Sequence, residues 1–219
     1  MSQLDETAGD QLVVDSDAHE RKSVLGSYWT ASRLFVAAST MLFGAGAFSY
    51  FYLHSLDNNS LWRAPGQRPS SFLSVPVLLL TVVASLVYVV VARRAERPGA
   101  DGNDFRVAAG VAAVMLVVAA MIQFWGMRRL GFFPGSSGYA SVYVAVMPLF
   151  GVWLLIGAYW AEVLLARSLR VRWVLAPVGE NADSHEAAAF AGSLNGSRLF
   201  IGFLGLLSVV LYVMFSVLK

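Results

Sequence analysis

Glu162 is the acidic residue that lies within a long apolar run, in the segment YWAEVLLAR. A charge inside a membrane-spanning segment is costly, and such residues commonly mark function. Arg167 follows about one helical turn later, and Arg198 opens the last apolar run, so either arginine could pair with the carboxylate near the membrane surface. A proton relay is the alternative, but the apolar runs hold no further acids or histidines to continue it. We therefore predict an interfacial ion pair.

Gln123 is a second polar residue with possible chemistry, near the end of the third apolar run. Its amide could hydrogen-bond between helices, for which measured contributions average about 0.6 kcal/mol, and we expect packing rather than substrate contact. Arginines and tryptophans at the ends of apolar runs are typical of headgroup anchoring. The residues expected to contact lipid headgroups are Arg93, Arg94, Trp125, Arg128 and Arg129.

Several classes of chemistry are excluded or disfavoured by composition. The chain has no cysteine, which excludes disulfides, iron–sulfur clusters and thiolate metal sites. His19, His54 and His185 all lie away from the middle of an apolar run, so we do not expect intramembrane haem or copper ligation. The cluster at 184–186 is expected in a solvated polar loop, and Ser39 has no neighbouring base. We predict no catalytic, cofactor or metal-binding residue in this chain, and a net charge of +2 does not suggest nucleic acid.

The elements that must hold these residues are membrane helices. The 219 residues are 57% hydrophobic and 14% charged, with a mean hydropathy of +0.61, well outside the range of soluble domains. About 20 apolar residues in a helix cross the hydrocarbon layer. The predicted fold is all-α, a polytopic bundle of five transmembrane helices at approximately residues 33–54, 72–92, 105–126, 139–166 and 198–218. In the first of them, small residues from Ala37 to Gly46 predict close helix contact.

Residues 1–27 precede this domain as an acidic tail, with six acids against two bases. Such a composition is typical of a partly disordered extension, and an arm against a basic partner is the alternative. The lysines and arginines also predict orientation, because they concentrate on the cytoplasmic side. Eleven of the sixteen lie on the side of the N-terminus, which favours a cytoplasmic N-terminus.

Three segments resemble one known family. The run LFVAASTMLFGAGAFSYFYL at 34–53 is similar to a helix reading approximately LFLASEVMFFAGLFAAYF. Gln123-Phe124-Trp125 resembles a Q-A-Y-E-W segment, and 138–167 follows a pattern G-Y-G-S-V-F…G-x-H-G-x-H-V…G…L-L-x-R. These are features of subunit III of haem–copper (cytochrome c type) oxidases in the five-helix bacterial form. The resemblance spans roughly Trp29 to Leu218, with agreement in helix number, order and orientation.

The sequence departs from this family at its polar positions. Ser39 stands where the family has its membrane glutamate, and Gly126 stands where a glutamate follows the helix-three glutamine. Phe150 and Trp153 replace the two histidines of helix four, and 197–200 gives no clear counterpart to the W-H-F-V-D signature. The resemblance therefore identifies a divergent, subunit-III-like protein, and no functional residue is carried over to the substituted positions.

The resemblance implies a non-catalytic subunit of a terminal oxidase in aerobic respiratory electron transport. It would stabilise the catalytic subunit and bind phospholipid in a bacterial cytoplasmic membrane, beside subunit I and subunit II-like partners that hold the haem and copper. A role in proton uptake would require a carboxylate at the position of Ser39, which this sequence lacks. The alternatives are an accessory protein of a nitric oxide reductase, or an unrelated scaffold or transporter. A transporter is disfavoured because the sequence shows no internal repeat.

Overall fold

The computed structural model describes residues 3–57, 62–64, 66–67, 69–95, 102–170 and 184–218, with side chains described for these except at 3–22, 24, 170 and 184–188. These residues contain no strand, and the predicted all-α fold is confirmed. The elements are α1 (Gln3–Ser55), α2 (Ser71–Ala95), α3 (Gly102–Arg128), α4 (Gly138–Arg170), α5 (Ser184–Tyr212) and a π-helical turn (Val213–Val217) that continues α5.

Each of the five α-helices contains a stretch long and apolar enough to cross a membrane. The stretches are Leu25–Ser55, Ser71–Ala95, Gly102–Arg128, Gly138–Leu169 and Ala189–Val217. At about 1.5 Å of rise per residue, each exceeds the roughly 30 Å of the hydrocarbon layer. The chain is therefore a multi-pass membrane protein built as a five-helix bundle.

Two helices begin earlier than the sequence predicts. α1 continues back to Gln3, through the segment for which a partly disordered tail is predicted. α5 begins at Ser184, so the expectation of a polar loop at 184–186 is wrong, and His185 lies in the first helical turn. Extending an existing helix costs less than nucleating a new one, and the alanine-rich run 187–191 favours helix.

The helices pack as a ring in the order α1, α5, α2, α3, α4, and α4 contacts both α1 and α5. Leu116 of α3, Leu154 and Leu164 of α4, and Phe200 and Leu204 of α5 are fully buried at its centre. Aromatic and branched side chains from all five helices surround them. The ring leaves the outer faces of the helices apolar, as a lipid environment requires.

Close helix approach depends on glycine at the contacts of α5. A Cβ added at Gly157 of α4 would lie 2.6 Å from Leu204 Cδ1, and one added at Gly205 would lie 2.8 Å from Ser85 Cβ on α2. Next to these contacts, Ser85 donates a 2.8 Å hydrogen bond to the Ile201 carbonyl. Small residues with interhelical hydrogen bonds are the usual means of association in membranes, where burial of apolar surface gives no advantage.

Candidate functional site

Ser39 lies at the junction between α1 and α4, and is 2% exposed. Its hydroxyl accepts a 2.8 Å hydrogen bond from Trp153 Nε1 and donates one of 2.8 Å to the Phe35 carbonyl. The Trp153 ring stacks on Phe35, with centroids 6.3 Å apart, and meets the edge of Phe43 at 5.7 Å. Since both hydrogen-bonding functions of the hydroxyl are used within the helices, Ser39 serves as a packing residue.

The predicted ion pair involves residues on neighbouring helices. Glu162 and Arg167 are exposed on α4, and Arg198 is half-buried on α5. Exposed pairs of this kind contribute about 0–1 kcal/mol. The pairing itself stays a prediction.

Arg106 of α3 is a residue that the sequence analysis missed. Its Nη2 donates a 2.8 Å hydrogen bond to the carbonyl of Ser168 on α4, and its Nη1 donates one of 3.2 Å to Asn103. The bond to Ser168 ties the start of α3 to the last turn of α4, where helix carbonyls lack partners of their own. Its sequence signal was an arginine at the second residue of the predicted helix 105–126, which alone indicates only orientation.

Gln123 is buried on α3 with 6% of its surface exposed. No hydrogen bond joins its amide to another described residue, so the expected bond to a neighbouring helix is not seen in this part of the chain. The amide instead lines a lateral groove. Burial without a protein partner is unfavourable for an amide, and a bound ligand would change that.

This α2/α3 groove runs between the start of α2 and the last turns of α3 and has a volume of about 890 Å³. Its apolar walls include Phe72, Leu73, Val118, Met121, Ile122 and Trp125. Gly126 also lines the groove. A Cβ added at Gly126 would lie 3.7 Å from Leu73 Cδ1, which is an ordinary van der Waals contact. The size lies in the range of cavities that hold small ligands.

The residues expected at lipid headgroups lie at two ends of the bundle. Arg93 and Arg94 are exposed in the last turn of α2. Arg128, the last residue of α3, and Arg129, which follows it, are exposed at the opposite end of the bundle. The Arg129 guanidinium lies 5.0 Å from the centroid of the exposed Trp125 ring. Arg129 and Trp125 also line the α2/α3 groove. Headgroup contact stays a prediction for all five residues.

Residues between α1 and α2 close the end of the bundle that includes Arg129. The Arg63 guanidinium lies 4.2 Å from the centroid of the Tyr139 ring, and its Nε donates a 2.7 Å hydrogen bond to the Gln67 carbonyl. Tyr139 in turn donates a 2.9 Å hydrogen bond to the Phe215 carbonyl of the π-helical turn. The sequence analysis missed this cluster because its members are far apart in the chain.

The outward face of α1 is open. Leu34, Met41 and Phe48 are spaced by seven residues and are 65%, 77% and 70% exposed. Beside them, nothing lies within 4 Å of a Cβ added at Gly44, whereas one at Gly46 would lie 2.6 Å from Val146 Cγ2 on α4. Most of the small residues that predict close contact therefore face away from the bundle, as the exposed Ala37, Ala38 and Ala45 do.

Comparison with family models and with curated proteins finds no match to this sequence. Within the described ranges, no three histidine, aspartate or glutamate side chains are grouped so as to hold a metal ion.

Proposed function

We propose that this chain is a non-catalytic, subunit-III-like subunit of a haem–copper terminal oxidase, which stabilises the catalytic subunit and binds lipid. The haem and copper belong to its partners, a catalytic subunit I and a subunit II-like protein. The bacterial cytoplasmic membrane is the proposed location, with the N-terminus in the cytoplasm, because eleven of sixteen lysines and arginines lie on that side.

The observation that supports this proposal best is the contact between Ser39 and Trp153. The resemblance places the family's membrane glutamate at Ser39 and one of its helix-four histidines at Trp153, by two separate alignments of two helices. Their counterparts here are hydrogen-bonded to each other. The two aligned positions are therefore in direct contact in this chain.

The outward face of α1 supports a role as a subunit. In the most apolar stretch of α1, 17% of residues are buried, against 33% to 50% in the other four spans. Its alanines and Gly44 would let the backbone of another helix approach closely. A transmembrane helix of the catalytic subunit is the proposed occupant.

Purification of the tagged full-length chain in mild detergent, followed by reduced-minus-oxidised spectra, tests the proposal. We expect a haem-bearing partner that consumes oxygen to co-purify. Recovery of the intact chain without any haem protein contradicts the proposal and favours an unrelated scaffold or transporter. A haem partner that reduces nitric oxide instead of oxygen assigns the chain to a nitric oxide reductase.

A further inference from the structure

Two polar side chains line the α2/α3 groove and have no hydrogen-bond partner among the described residues. Gln123 is 6% exposed and Tyr143 of α4 is 5% exposed, and both line the groove. Neither the amide nor the phenol hydroxyl is hydrogen-bonded to another described residue. Both groups can donate a hydrogen bond. Within a membrane they would be costly if unpaired, so the groove is suited to a ligand with acceptor oxygens.

A cation stands at the rim of the same groove. Arg129 follows α3, and its guanidinium folds back over Trp125, one turn closer to Gln123. Six residues of helix correspond to roughly 9 Å along the axis, and the folded arginine shortens this separation. The groove therefore offers a positive charge at the membrane surface and neutral donors at a deeper level.

We propose that the groove binds one glycerophospholipid. Its phosphate lies at Arg129, its ester carbonyls accept hydrogen bonds from Gln123 and Tyr143, and its acyl chains lie along Phe72 and Met121. This assignment rests on the lipid-binding part of the proposed function and gives that function a specific site. It does not depend on which enzyme the chain joins.

The two polar levels distinguish a phospholipid from other membrane amphiphiles. A quinone carries only a neutral headgroup, so it would leave Arg129 without an anion. A fatty acid carries only a carboxylate. With that carboxylate at the rim beside Arg129, the deeper Gln123 amide would have no acceptor. A glycerophospholipid has a phosphate and, one glycerol unit deeper, two ester carbonyls, which matches both levels.

The test uses the full-length chain, purified in detergent and delipidated, with binding measured by native mass spectrometry. The probes are phosphatidylglycerol with ester-linked chains, the same lipid with ether-linked chains, and diacylglycerol. The variants are Gln123→Leu, Tyr143→Phe and Arg129→Gln. Arg33→Gln is the matched control, because Arg33 is an exposed arginine 3.9 Å from the centroid of the Trp29 ring and does not line the groove.

We expect the wild-type chain to bind the ester lipid about two- to tenfold more tightly than the ether lipid, as one or two hydrogen bonds would give. Gln123→Leu and Tyr143→Phe should reduce this ester preference. The wild-type chain and these two variants should bind the ether lipid with the same affinity. Arg129→Gln should remove the preference for phosphatidylglycerol over diacylglycerol and leave the ester preference in place. Arg33→Gln should alter neither preference.

Equal binding of ester and ether lipids by the wild-type chain overturns the proposal, and this result needs no variant to fold. An equal loss of phosphate preference with Arg33→Gln also overturns it, as does tighter binding of a short-chain quinone or of palmitate than of phosphatidylglycerol. Haem co-purification is a separate measurement on the wild-type protein. A failed lipid assignment is thereby distinguishable from a failed oxidase assignment.

Discussion

Trp153 Nε1 on α4 lies 2.8 Å from Ser39 Oγ on α1, and this hydrogen bond connects two helices at a buried position. The serine proton is directed to the Phe35 carbonyl one turn back in α1, so the hydroxyl is fully engaged. Phe35 and Phe43 hold the indole ring on two sides. The junction combines a specific polar contact with aromatic packing, and it fixes α1 against α4 where α1 is otherwise sparsely buried.

The contribution of this hydrogen bond to stability can be measured with a double-mutant cycle of Ser39→Ala and Trp153→Phe. We expect a coupling of about 0.6 kcal/mol, the mean for such bonds in membranes, and no more than about 1.7 kcal/mol. Unfolding of the purified protein in mixed micelles gives the four free energies. Thr40→Ala is the control, since that exposed hydroxyl bonds only to the Val36 carbonyl and should show no coupling to Trp153.

The same two positions test the resemblance. Ser39→Glu alone should lower the yield of folded protein, because the one indole N–H of Trp153 does not offset the cost of burying a carboxylate at this 2% exposed position. Adding Trp153→His should restore part of that yield, since the imidazole can pair with the acid. The readout is the monodisperse fraction in detergent. A double variant no better folded than Ser39→Glu would mean that the two alignments do not describe a family pair.

Substitutions at Gly44 and Gly46, two residues apart on α1, distinguish a loss of partner binding from a loss of folding. Gly44→Leu should leave the bundle stable, because its Cβ meets nothing within 4 Å, and should reduce co-purification of the proposed haem-bearing partner at least tenfold. Gly46→Leu should instead destabilise the bundle by about 1–3 kcal/mol, because its side chain collides with Val146. The measurements are haem recovered per chain and thermal unfolding. Unchanged haem recovery with Gly44→Leu would show that this face binds lipid only.

The number and approximate positions of the helices were predictable because hydropathy reports directly on membrane-spanning length. The start of α5 at Ser184 was not, since residues 184–186 are polar and resemble a loop, and their helix depends on continuation through 187–191 into the span. The groove at Gln123 could not be predicted from the sequence either. Its existence depends on how far α2 and α3 diverge, whereas the sequence predicts only that an amide lies near a helix end.

The final prediction concerns the hydrogen bond from Tyr139 to the carbonyl of Phe215, in the π-helical turn that follows α5. The final carbonyls of a helix have no partner within it, and Phe215 is buried. Tyr139→Phe keeps the ring beneath Arg63 but removes the donor to Phe215 and the acceptor of a 3.4 Å hydrogen bond from Arg63 Nη2, so it should destabilise the protein by about 1–3 kcal/mol. Hydrogen exchange should accelerate mainly in 211–218. Tyr159→Phe, on the same helix but 67% exposed, should change neither quantity, and uniform acceleration across the bundle in Tyr139→Phe would contradict a local role.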